Sequence, residues 1–257
     1  MFGAIVGDMI GRPFEFAGHK SLEFELFSEH SRTSDDSVLT VAVMDTLLLD
    51  NGSYRENYIR YGTAWPHKGY GGHFARWVNC EGNIEYSSWG NGSGMRVSPV
   101  GHAAQTLDDA IHMATESAMP THSHPEGIKG AVAIAGSVFL AKQKSSKDDI
   151  RNWVTNHCGY NLNRTIESIR PTYNFEVSCQ KSVPEAIIAF LDSSDFENAA
   201  RLAVSLGGDA DTVCAMTCSI AEPFYGGIPE NILNLALPRI ESEFMEVIAK
   251  FIAYLQK

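Results

Sequence analysis

Two short stretches crowd oxygen ligands at the mouth of an apolar run. In the first, Ser34, Asp35, Asp36 and Ser37 precede VLTVAVMDTLLL; in the second, Gly207 and Gly208 introduce Asp209, Asp211 and Thr212 ahead of VCAMTCSIA. A carboxylate at a helix start caps free N–H groups and opposes the positive end of the dipole, so each cluster has a purely structural explanation. One acid is enough for that. A second carboxylate and a hydroxyl within four residues, leading into a segment apolar on every side, make uncompensated charge costly. A hard cation such as Mg²⁺, Mn²⁺ or Ca²⁺ takes such ligands. From either stretch alone, capping and metal binding both stay open. The recurrence favours metal, because the two clusters together offer four carboxylates and two hydroxyls, enough for a pair of divalent ions completed by water.

Other residues carry weaker signals. Glu15 lies between Phe14 and Phe16. A loop acid with its head in water is the common case, whereas an aromatic setting raises a carboxyl pKa toward acid/base use. The stretch from Ser88 to Gly101, SWGNGSGMRVSPVG, has the Gly, Asn and Ser density that brings backbone amides close to an anion, with a helix expected to begin near Met95. Most glycine-rich loops are only turns. His122 and His124 precede a long apolar segment, where a ligand or acid/base role competes with plain surface placement. His73 and Trp77, four apart, read as packing residues on one helix face.

The elements that must position these residues all read as helices. Residues 1–11 suit a short helix packed closely on its neighbours, and 105–120 an amphipathic helix ending before Pro120. The segments 147–158, 181–192, 195–206 and 238–256 show helical spacing with charged outer faces. No convincing series of alternating strands occurs, so the expected class is all-α: a compact globular bundle of many helices around a central site. At 257 residues and 44% hydrophobic content the chain can bury a real core, and no linker or charge block divides it, so residues 1–257 are read as one domain. A net charge of −11 argues against a general nucleic-acid binder. Five cysteines without a CxxC pattern read as small core residues. With no basic leader and no apolar stretch of ~18 residues, a cytoplasmic, membrane-free protein is expected.

Five stretches in register resemble the ADP-ribosylglycohydrolase family: GAIVGDMIGRPFE at the start, SDDS at 34–37, GNGSGMRVSP at 90–99, TH at 121–122 and GGDADT at 207–212. The resemblance spans most of the chain. It implies an all-α fold with two divalent cations, Mg²⁺ or Mn²⁺, that hydrolyses the glycosidic bond between ADP-ribose and an acceptor. By the same resemblance Ser34, Asp35, Asp36, Asp209, Asp211 and Thr212 match metal ligands. Ser88, Trp89, Gly90, Asn91, Gly92, Ser93, Gly94 and Met95 match the ADP-ribose loop, and His122 matches a histidine near the ligand. Ser34 stands where many relatives have threonine, which keeps the hydroxyl. Glu15 matches an N-terminal acid, and with Asp35 and Asp36 is assigned to catalysis. The expected partner is ADP-ribose or an ADP-ribosylated protein, arginine-linked first and serine-linked next. A monomer is expected, with nucleic acid only as a modified substrate. A non-catalytic binding relative and a metal-dependent phosphohydrolase are the competing readings.

Overall fold

The computed structural model describes residues 1–49 and 51–256. They form fifteen α-helices and two short 3-10 turns: α1 Gly3–Gly11, α2 Asp35–Leu47, α3 Tyr54–Ala64, α4 Gly72–Asn79, α5 Gly92–Met95, α6 Ser98–Ala103, α7 Leu107–His122, α8 Pro125–Lys142, α9 Lys147–Cys158, α10 Ile166–Ile169, α11 Cys179–Asp192, α12 Phe196–Val204, α13 Ala210–Tyr225, α14 Glu230–Ala236 and α15 Ser242–Tyr254. Extended pairing among the described residues is limited to two isolated bridges, Ser87 with His122 and Gly90 with Ser178. The all-α expectation holds.

The centre is the crossing of α1 and α13. Every residue of α1 is buried, as is α13 from Ala210 to Ala221. Gly3, Gly7 and Gly11 recur at intervals of four, which puts them on one face of α1. A β-carbon at these positions would lie 2.4, 2.4 and 2.3 Å from the carbonyl oxygens of Cys218, Cys214 and Ala210. The two main chains therefore touch along this stripe, and only glycine allows it. Around the crossing pack α2, α8, α11 and α12, with α7 against α8 and α15 against α2.

Several boundaries differ from the sequence reading. Helix α7 runs through Pro120 to His122. Proline in a last turn removes one N–H and crowds the carbonyl four residues back; that residue, Glu116, is exposed, so its carbonyl can turn to water. The helix expected near Met95 ends there instead, and a second one starts at Ser98 with Pro99 in its first turn. The 238–256 segment is a 3-10 turn at Leu237–Arg239 followed by α15. Cys80 is exposed, unlike the other four cysteines. Trp77 is buried while His73 is exposed, so only the tryptophan is a packing residue. No helix among the described residues is long and apolar enough to cross a membrane.

Candidate functional site

The glycine-lined crossing fixes two acids side by side, Asp8 from α1 and Asp211 from α13. Asp8 is fully buried, and its Oδ2 accepts from Ser34 N at 2.8 Å, from Ser37 N at 3.2 Å and from the Ser37 hydroxyl. An acid on the first helix thus holds the start of α2. Ser34 is the N-cap, its Oγ 3.2 Å from both Asp36 N and Asp36 Oδ2. Thr212 Oγ1 reaches the same Asp36 Oδ2 at 3.2 Å. Carboxylate oxygens of Asp8, Asp36 and Asp211 gather within 4.8 Å of one another, and those of Glu15, Asp209 and Asp211 do the same. Asp211 belongs to both groups.

Arg12, in the turn after α1, donates to Asp211 Oδ2 at 2.7 Å and also to Glu15. Burial works against its charge, but the bond to Asp211 and the charges of Asp211 and Glu15 outweigh that and hold it protonated. Asn91 Nδ2 donates to Asp209 Oδ2 at 2.7 Å.

Crowding shows in the acidities. Burial first, and the Asp211 charge second, raise Asp8 to about 6, Glu15 to about 7 and Asp35 to about 8. The same causes hold Asp36 and Asp209 well above the usual carboxylate range. Five acids are shifted against ionisation by one another and by loss of water. Asp35 is half-buried and lies outside both tight groups.

Glu15, Asp35, Asp36, Asp209 and Asp211, but not the fully buried Asp8, line a cavity of about 350 Å³, within the ~300–1,000 Å³ usual for small-molecule sites. Among the residues singled out from sequence, Glu15, Asp35, Asp36, Asp209, Asp211, Thr212, Ser88, Gly90, Asn91, Gly92, Met95 and His122 line it; Ser34, Trp89, Ser93 and Gly94 do not. The reasons are local. Ser93 Oγ is turned away to donate to Gly127 O at 2.6 Å, Gly94 packs against Met216, and the exposed Trp89 ring rests edge-on against His124. His124 itself caps α8 through Nδ1, which accepts from Glu126 N.

The glycine loop has few amides to spare. Gly90 N bonds Ser88 Oγ, Asn91 N bonds Val177 O, and Gly94 N and Met95 N both bond Asn91 O. Among the described residues the amides of Trp89, Gly92 and Ser93 are left without a partner in this loop. His122, on the last turn of α7, is buried behind it. Stacked Phe16 and Phe175, centroids 5.3 Å apart and 78% and 50% exposed, stand on the cavity's outer rim.

A family model described as ADP-ribosylglycohydrolase matches residues 1–255. The chain belongs to this family. It is 23% identical to ADP-ribosylhydrolase ARH3 of Xenopus tropicalis, over 88% of this chain and 86% of that protein. It is 24% identical to the Homo sapiens protein of the same name, over 89% and 85%. A solved structure titled "ADP-ribosylglycohydrolase-related protein complex" superposes with a TM-score of 0.71 at 23% identity, covering 99% of this chain and 96% of that one. This likeness establishes a shared fold.

The donor set fits divalent cations. Asp8 Oδ1 and Asp36 Oδ1 are buried without a hydrogen-bond partner, each beside a second carboxylate, while the nearby Arg12 bonds Glu15 and Asp211 instead. Unpartnered buried carboxylate oxygens are costly, and oxygen-rich clusters of this kind suit Mg²⁺ or Mn²⁺. Two signals were missed in the sequence. Asp8 looked like a lone acid in an apolar helix, and Arg12 looked like a helix terminator.

Proposed function

We propose that this protein hydrolyses the glycosidic bond between ADP-ribose and an acceptor, using two divalent cations held by Asp8, Asp36, Asp209 and Asp211, with Glu15, Ser34, Asp35 and Thr212 beside them. The observation that carries this reading is the cavity itself, with crowded carboxylates at one end and a glycine loop with free amides along its wall. Bound cations would supply Lewis-acid polarisation of a hydroxyl or water at that end.

Breaking the anomeric bond builds oxocarbenium character, so a water must be activated and the leaving group protonated. Asp35 is half-buried and free of the tight groups, which suits it to take the water's proton once bound cations have ionised it. Asp36 is committed to Ser34 and Thr212 and serves better as a fixed ligand. Glu15, raised to about 7 and near the stacked rim, is suited to give the leaving group its proton. The amide of Gly92 and the ring of His122 then face the anionic part of the ligand. An acidic end beside stacked Phe16 and Phe175 suits a planar cation, so arginine-linked ADP-ribose is the first acceptor chemistry to test, with serine-linked next.

The test incubates purified protein and Mg²⁺ with peptides ADP-ribosylated on arginine or on serine, following free ADP-ribose by mass spectrometry against an EDTA control. Metal-dependent release from one peptide supports the reading and names the linkage. Phosphate released from ADP-ribose with the glycosidic bond intact would replace it with a phosphohydrolase. Binding of ADP-ribose without release from either peptide would leave a binding protein.

A further inference from the structure

Arg96 is fully buried, lines the cavity and, among the described residues, has no carboxylate partner. Its guanidinium rests over the Tyr58 ring, 4.0 Å from the centroid, and the Tyr58 hydroxyl is tied to Ser117. Arg96 Nη2 donates to Thr121 Oγ1 at 2.8 Å and to Ser117 O at 3.3 Å. Thr121 Oγ1 in turn lies 2.8 Å from His122 Nδ1.

An arginine can only donate, so the threonine oxygen accepts from it. The threonine has one proton of its own, and among the described residues His122 Nδ1 is its only other hydrogen-bond partner. That nitrogen must accept. In a neutral imidazole the proton is then on Nε2. Burial and the adjacent Arg96 charge both keep the ring neutral. The opposite tautomer would donate from Nδ1 to an oxygen already receiving Arg96, and the threonine proton would be stranded in the interior.

Nε2 is directed at the glycine loop, 3.1 Å from where a β-carbon at Gly92 would stand and 3.8 Å from the same point at Gly90. We infer that Arg96 and Thr121 are positioning residues that lock His122 as an Nε2–H donor, presented to an anionic oxygen of the ligand across Gly92. The identity of that oxygen, on the diphosphate of ADP-ribose, rests on the function proposed above; the tautomer does not. Gly92 is bare so that the donor is not covered.

The experiment uses full-length protein with ¹⁵N-labelled histidine. Long-range ¹⁵N–¹H spectra of His122 are expected to show Nε2–H in the wild type and in Thr121→Ser, and a mixed or Nδ1–H tautomer in Thr121→Val. Calorimetry with ADP-ribose and Mg²⁺ is expected to show binding about tenfold weaker for Thr121→Val, as for loss of one oriented hydrogen bond, with Thr121→Ser restoring it. Nδ1–H in the wild type overturns the proposal, as does a folded Thr121→Val protein with unchanged tautomer. The wild-type spectrum decides even if the valine variant does not fold. A wild type that shows Nε2–H but does not bind ADP-ribose would sink the functional reading and leave the lock standing.

Discussion

On one side of Asp211 lie Glu15 and Asp209, each met by a donor from the protein, Arg12 for the first and Asn91 for the second. On the other side lie Asp8 and Asp36, whose partners are amides and hydroxyls and which each keep one oxygen unpartnered. The outer group has its charge partly balanced by a side chain that can swing aside. Asp8 and Asp36 have no salt-bridge partner among the described residues, Arg12 reaching this group only through the shared Asp211, and the backbone crossing keeps Asp8 and Asp211 from separating. The difference implies an order of binding. If two divalent cations bind as proposed, the inner group takes the first and the outer group the second, in competition with Arg12.

The largest effect is expected for Asp211→Asn, because this residue serves both groups. Mn²⁺ titration calorimetry should show both binding events lost, with turnover down by at least about a hundredfold and the helical circular dichroism unchanged. Near-normal turnover would remove the metal assignment altogether. Asp8→Asn comes next: the tighter event should weaken roughly tenfold or more, whereas Glu15→Gln should lower turnover more than it lowers ion or ADP-ribose affinity. Equal weakening of the tighter event by the two variants would abolish the distinction between the groups. Arg12→Gln sharpens it from the other side. With the competing cation gone, the weaker event should tighten severalfold while the metal-free protein melts lower.

The smallest effect is a pH dependence. Asp8, Glu15 and Asp35 are raised in the folded chain to about 6, 7 and 8, above their unfolded values near ~4. Between these limits the folded state holds protons that the unfolded state has released, so stability falls as pH rises from about 4 to about 8. In EDTA the melting temperature should decline across that window. In Mg²⁺ the decline should flatten, because the ion offsets the charges that the protons had suppressed. Parallel curves in the two conditions would show that the ion does not bind among these acids.

The helical class and the two acid clusters were legible in the sequence because charged residues stood out against apolar runs, as in SDDS and GGDADT. Asp8 was not, since one acid among GAIVGDMIG looks like the wet edge of a helix. The available signal was the glycine spacing at 3, 7 and 11, which marks a close crossing and makes any acid on that short helix suspect of burial. Arg96 and Thr121 lay within motifs that were read for other members, and a hydrogen-bond direction has no trace in spacing. Ser34 was read as a ligand and a cap; its contacts in the fold are those of the cap. The glycine loop suggested a row of anion-binding amides, but most of them bond within the loop or to Thr121 and Val177, because buried backbone must be satisfied first.

The α1–α13 crossing sets the gauge of the site. Where side chains separate two helices, their distance follows from volumes that drift with each substitution and relax with each rotamer. Here the spacer is a main-chain carbonyl pressed on a bare α-carbon, a length that no change elsewhere in the core alters. Asp8 and Asp211, one from each helix, are therefore held to a tolerance set by atomic radii, and much of the bundle is free to vary in sequence without retuning them.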